Sequence, residues 1–170
     1  MTSPAKLAHV VFQTGRLTEM IDWYVRVLDG RVAFVNDMLG FVAYDDEHHR
    51  VAFAAPGNVT EPPTETQSGL HHVAFTYETI DGLLSTYQRL KADGLTPFWC
   101  LNHGPTTSMY YTDPDGNRVE LQIDNLDPEA ADAYFRSDAF AANPIGVAFD
   151  PEDLVRRHES GVPFAELVKI

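Results

Sequence analysis

Apolar and polar positions follow one pattern that the 170-residue chain uses twice. Leu17, Met20, Ile21, Tyr24, Val25 and Leu28 recur at the three- and four-residue spacing of an amphipathic helix. Asp29-Gly30 ends it, since glycine tolerates the left-handed conformation of a helix C-terminus. Short alternating runs predict strands at Lys6–Gln13, Arg31–Asn36, Gly40–Asp45 and Arg50–Ala54, giving a βαβββ unit. The order then repeats. A strand at Leu70–Thr76 leads to a helix at Ile80–Ala92 with Leu83, Leu84, Tyr87 and Leu90 on one face. Asp93-Gly94 closes that helix, and strands follow at Pro97–Asn102, Ser108–Thr112 and Arg118–Asp124. The halves lie over each other with His9 on His72, Phe12 on Phe75, Tyr24 on Tyr87, Asp29-Gly30 on Asp93-Gly94 and Phe34 on Phe98. Ordered self-similarity of this kind implies two copies of one supersecondary unit.

The chain therefore reads as a single α+β domain over residues 1–170. Two βαβββ modules, residues 6–55 and 70–124, are expected to form one eight-stranded, cup-shaped sheet. Residues 56–69, rich in Pro, Gly, Thr and Glu, read as a linker. Residues 125–170 read as a helical tail. Asp127-Pro128 and Asp150-Pro151 open helices with an aspartate cap and a proline in the first turn, and Gly161 closes the second. Phe140, Ile145, Val147, Phe149 and Phe164 are too many apolar side chains to leave in water. Asn143–Phe149 is therefore expected near the mouth of the cup or in a subunit contact.

Composition narrows the partners. The chain is 44% hydrophobic and 22% charged, as globular proteins are, and its net charge of −13 argues against nucleic acid or an anionic membrane. A single cysteine, Cys100, excludes an intramolecular disulfide. Met1–Lys6 has no apolar stretch of signal-peptide type, and no apolar run has the length of a membrane span. A cytoplasmic protein is expected.

One residue breaks the apolar pattern in an informative way. Glu120 stands between Val119 and Leu121 in a strand, a poor place for a carboxylate unless something pairs with its charge. A metal is one such partner. His9 and its repeat-mate His72 add two imidazoles, each on its own strand, and two histidines with one carboxylate are the ligand set of a non-haem Fe(II) site with open positions. His71 and His72 face opposite ways on a strand, and the repeat selects His72. The first module has Ala52 where the second has Glu120, so three protein ligands are expected, not four. Other polar residues gather around this set. His48-His49 opens a strand, His103 ends one, and Tyr110 lies ten residues before Glu120 across the turn Asp113-Pro114-Asp115-Gly116. Counted back from Ala52, strand parity favours His48 over His49 as the inward ring. Trp99 and Phe41 are candidates for an apolar wall.

Paired βαβββ units with histidine on the first strand of each and glutamate on the last resemble the vicinal oxygen chelate superfamily. That superfamily includes glyoxalase I, bleomycin-resistance proteins and type I extradiol ring-cleavage dioxygenases. The resemblance covers about Lys6 to Asp124 and is closest to the extradiol dioxygenases acting on 2,3-dihydroxybiphenyl and related catechols. It rests on His48-His49-Arg50-Val51-Ala52-Phe53, on His71-His72-Val73-Ala74-Phe75, and on Tyr110 ten residues before Glu120 with His103 upstream. It implies Fe(II), with Mn(II) as the other candidate, held by His9, His72 and Glu120. It implies His49 as proton acceptor and donor, and His103 and Tyr110 as hydrogen-bonding groups. The implied reactants are a small aromatic diol and O2, and the implied assembly is a homo-oligomer. The chain departs from many such enzymes in having the equivalent of their catalytic domain alone, and in a shorter spacing from His103 to Tyr110. The rival readings are a glyoxalase-like lyase or epimerase, usually with a second acidic ligand where Ala52 stands, and a metal-free binding protein of the bleomycin-resistance type.

Overall fold

The computed structural model describes residues 2–59 and 68–170. Most of the expected linker lies outside the described residues. The chain divides into two compact units: residues up to Gly69 together with Asp113–Asn117, and Leu70–Thr112 together with Arg118–Ile170.

The first unit carries β1 (Val10–Gln13), α1 (Leu17–Leu28), β2 (Arg31–Val35), β3 (Leu39–Ala43) and β4 (Val51–Ala54). Its sheet runs β1-β4-β3-β2, with β1 and β4 parallel and the other pairs antiparallel. The helix buries Met20, Ile21, Trp23, Tyr24 and Val27 and packs on β3 and β4. Gly40 permits this approach, because a Cβ there would lie 2.4 Å from the Ile21 Cδ1. The left-handed residue that ends α1 is Asp29 itself, at φ 49°, and not the following glycine. Aspartate is among the few non-glycine residues that tolerate this conformation.

The second unit repeats the order with β5 (His72–Tyr77), α2 (Ile80–Ala92), β6 (Trp99–Asn102), β7 (Thr106–Thr112) and β8 (Arg118–Asp124). The tail then adds α3 (Pro128–Phe135), α4 (Asp138–Ala142), β9 (Val147–Ala148), α5 (Pro151–Glu159) and α6 (Phe164–Leu167). The expected caps are present: the Asp127 and Asp150 side chains accept from the Ala130 and Glu152 amides, each with proline in the first turn. Strand order is β5-β8-β7-β6-β9. The α+β class and both βαβββ modules are present, and the eight module strands fall into two hydrogen-bonded sheets, one of four strands and one that β9 extends to five. The ninth strand was not legible as one, since two residues carry no alternation. It forms where Leu101 pairs with Ala148 and Asn102 with Val147. Among the described residues, no helix is long and apolar enough to cross a membrane.

Candidate active site

Strand register explains how the second unit gathers its polar groups. In the parallel β5–β8 ladder His72 pairs with Arg118 and Ala74 with Glu120, so alternation puts His72 and Glu120 on one face. Their side chains meet, with His72 Nε2 3.0 Å from Glu120 Oε2, and the glutamate side chain is only 5% exposed. Ala74 is the cross-strand neighbour of Glu120 on this ladder. On the other side, β7 sets Tyr110 directly opposite Glu120. Burial, then the Glu120 charge and its hydrogen bond, raises the Tyr110 phenol above its ordinary range and keeps it a donor. The Tyr110 hydroxyl also lies 2.9 Å from His103 Nε2. The second unit thus strings His72, Glu120, Tyr110 and His103 along one face, with Trp99 stacked at a tilt 5.5 Å from the Tyr110 ring.

His103 sits on the β6–β7 connection, which two asparagines pin. The Asn102 side-chain Oδ1 accepts from the Gly104 amide at 2.9 Å and from Asn125 Nδ2 at 3.2 Å, and Asn125 Nδ2 also donates to the Gly104 carbonyl at 2.8 Å.

The first unit repeats this register with different chemistry. Ala52 pairs with Val11 and Phe41, the positions that Ala74 and Tyr110 take beside Glu120. The expected correspondence of Ala52 with Glu120 is thus a property of the ladders. The correspondence of Phe34 with Phe98 is corrected: Phe34 pairs with Phe41 as Trp99 pairs with Tyr110, so Trp99 is its structural counterpart. The irregularity between Val32 and Phe34 shifts the register by the residue that the alignment missed.

His9 lies one residue before β1, not inside a strand. Its ring is 4.6 Å from His49, which in turn stacks on Phe41 at 4.6 Å with 14° between planes. His48 touches His49, its Nδ1 2.6 Å from His49 Nδ1, and its side chain is 70% exposed. Parity counted back from Ala52 therefore fails, because β4 begins at Val51 and alternation does not extend through the turn before it. Partial burial, then the neighbouring His48 and His9, lowers His49 below the ordinary histidine range and favours a neutral ring.

Two arginines missed from the sequence stand at matching places. Arg50 donates from NH1 to the Leu7 and Ala8 carbonyls at 2.8 and 3.2 Å, and from Nε to Asp45 at 2.8 Å, which fixes the backbone leading into His9. Arg118 NH1 lies 2.8 Å from His71 Nε2, and His71 Nδ1 lies 2.7 Å from His72 Nδ1. Their signal was available, since Arg118 opens β8 and Arg50 immediately precedes β4, the last strand of each repeat. The turn of the β7–β8 hairpin stands where the sequence placed it, but its contact with α1 was not foreseen. Asp113 is buried and accepts from the Tyr24 hydroxyl at 3.1 Å, from the Asn117 amide and side chain at 2.8 and 2.9 Å, and from the Asp115 amide at 3.0 Å.

Among the described residues no group of three or more His, Cys, Asp or Glu side chains is gathered to hold a metal ion. The donors nonetheless suit one. A buried carboxylate faced by an imidazole and a phenol can bind a divalent cation in a way that an apolar core position cannot.

Residues 6–121 match the family model described as the Glyoxalase/Bleomycin resistance protein/Dioxygenase superfamily. The chain is 45% identical over 164 residues to a Rhodococcus globerulus protein named biphenyl-2,3-diol 1,2-dioxygenase 2, covering 96% of this chain and 86% of that one. A second protein of that organism, biphenyl-2,3-diol 1,2-dioxygenase 3, is 43% identical over 169 residues, covering 98% and 89%. These matches leave out too few residues to omit the tail. Among solved structures, lactoylglutathione lyase from Agrobacterium tumefaciens superposes with a TM-score of 0.58 at 15% identity, over 72% of this chain and 96% of that one. A glyoxylase/bleomycin resistance protein/dioxygenase domain from Frankia sp. EAN1pec gives 0.57 at 21% identity, over 72% and 99%. At such identities these two structures speak to the fold alone.

Proposed function

Because the chain belongs to the Glyoxalase/Bleomycin resistance protein/Dioxygenase superfamily, we propose that it is an extradiol ring-cleavage dioxygenase, opening a catechol-type ring beside its two hydroxyls with both atoms of O2. The observation that carries this reading is the buried Glu120, bonded to His72 and set opposite Tyr110, in a chain 45% identical to a biphenyl-2,3-diol dioxygenase.

In this reading residues 1–170 act as one domain, and His9, His72 and Glu120 hold Fe(II), with Mn(II) as the other candidate. A metal held there would supply a centre of Lewis-acid and redox character for chemistry between a diol and O2. Ala52 supports a three-ligand site, since a methyl group at the counterpart of Glu120 leaves coordination positions for substrate. His49 takes the first proton of the diol and returns it later. Its lowered proton affinity keeps it neutral, and its contact with His9 puts it beside a ligand. Tyr110 and His103 hydrogen-bond the oxygens of the bound reactants. Trp99, 41% exposed beside Tyr110, offers an apolar face to an aromatic ring. A cytoplasmic homo-oligomer belongs to the same reading.

The test is oxygen uptake by anaerobically Fe(II)-loaded protein across a panel of catechols that includes 2,3-dihydroxybiphenyl. Uptake with formation of a yellow ring-opened product supports the reading. No uptake with any catechol, together with isomerase or thiol-adduct chemistry under nitrogen, contradicts it.

A further inference from the structure

His103 has a second partner, and it comes from the tail. Its Nδ1 lies 2.6 Å from the backbone carbonyl of Ile145, while its Nε2 faces the Tyr110 hydroxyl. A carbonyl can only accept, so the proton of this contact resides on Nδ1. In the neutral ring Nε2 is then a bare acceptor. Tyr110 has one proton, and Glu120 and His103 Nε2 are acceptors in its reach, with the Ser108 hydroxyl also in contact. The Ile145 carbonyl thereby bears on which of them receives it.

The segment carrying that carbonyl is built to stay in place. Asn143 closes a turn from both sides, donating from Nδ2 to the Gly146 carbonyl at 2.8 Å and accepting from the Gly146 amide at 3.1 Å. Gly146 has φ +98°, and a Cβ there would fall 2.1 Å from the Asn102 carbonyl oxygen and 2.7 Å from the His103 Cα. Only glycine permits so close an approach to the end of β6 and the His103 backbone beyond it. Directly afterwards β9 pairs with β6 and anchors the turn. The matches to the two Rhodococcus globerulus dioxygenases extend through this tail.

We propose that the Asn143–Gly146 turn is a positioning device that holds His103 as its Nδ1–H tautomer and presents Nε2 to Tyr110 as an acceptor. The proposal rests on the dioxygenase reading only for its effect on turnover. Its structural content concerns His103 alone.

The test uses the full chain labelled with ¹⁵N-histidine, with the His103 signals identified by their absence in His103→Gln. Wild-type protein is expected to show a protonated Nδ1 and an unprotonated Nε2. Asn143→Ala, which loosens the turn without touching β6, and Gly146→Ala, which pushes it off β6, are both expected to lose that pattern. Thermal unfolding identifies variants that remain folded. A wild-type ring protonated on Nε2, or the wild-type pattern persisting in both folded variants, overturns the proposal. In turnover, Asn143→Ala is expected to lower kcat by about 10–100-fold, the usual cost of removing a group that orients a catalytic residue. KM should change by less than about twofold. Combined with His103→Gln, it should cost nothing further, whereas additive losses contradict action through His103. If the wild-type protein turns over no catechol, the functional reading falls while the ¹⁵N measurement still decides the tautomer.

Discussion

Tyr110 and Glu120 are cross-strand partners in the β7–β8 hairpin, so the ten-residue interval between them is the length that brings a phenol against a buried carboxylate. Each strand is anchored elsewhere, by Trp99 beside Tyr110 and by Ala74 beside Glu120. The pair therefore needs no long-range adjustment to form once the hairpin closes.

Tyr110→Phe keeps the ring and removes the hydroxyl that joins Glu120 to His103. We expect metal content to stay at the wild-type level and kcat for the catechol to fall about 10–100-fold. Elemental analysis beside steady-state oxygen uptake checks both. Unchanged turnover would remove Tyr110 from the reaction.

The two adjacent histidines before β4 should behave differently. His49 stacks between His9 and Phe41, whereas the His48 side chain is 70% exposed. His49→Ala is expected to cost on the order of 10²–10⁴ in rate while metal stays bound. His48→Ala should leave the rate within a few-fold. Equal effects of the two substitutions would mean that the stack does not identify the proton-transfer residue.

Stability depends on a contact remote from the candidate ligands. Tyr24 is fully buried and donates to Asp113, which is itself buried. Tyr24→Phe should destabilise the protein by about 1.5–3 kcal/mol near neutral pH, the range for a hydrogen bond to a charged group. Burial raises Asp113 above its ordinary value of 3.8, although bonds from Asn117, Tyr24 and the Asp115 amide pull the other way. A raised carboxyl binds its proton more tightly in the folded state. Its contribution to stability is therefore fully present below 3.8 and is lost as pH rises through the folded value. With the carboxyl protonated, the Tyr24 bond is one between neutral groups and is worth less. The cost of Tyr24→Phe should shrink in acid buffer, as urea unfolding at two pH values would show. A cost that grew on acidification would contradict this account.

Much of this was legible because it is local. Helical spacing located α1 and α2, and the repeat placed Ala52 at the counterpart of Glu120, which the ladders bear out. What escaped depends on backbone irregularity or on distant chain. A register shift between Val32 and Phe34 moved the counterpart of Phe34 to Trp99. The turn before Val51 broke the alternation that had favoured His48. Tyr24 and Asp113 are 89 residues apart, and His103 meets Ile145 across 42. No periodicity reports such pairs, because they are set by how a turn packs after the strands have formed.

Isotope labelling tests the central claim most directly. Fe(II)-loaded protein is given 2,3-dihydroxybiphenyl under ¹⁸O2, and the product is trapped at once for mass spectrometry. The account predicts a ring-opened product carrying both atoms of the labelled dioxygen, formed by wild-type protein and absent with His72→Ala, which should bind no metal. A product without label, or equal turnover by His72→Ala, would contradict it.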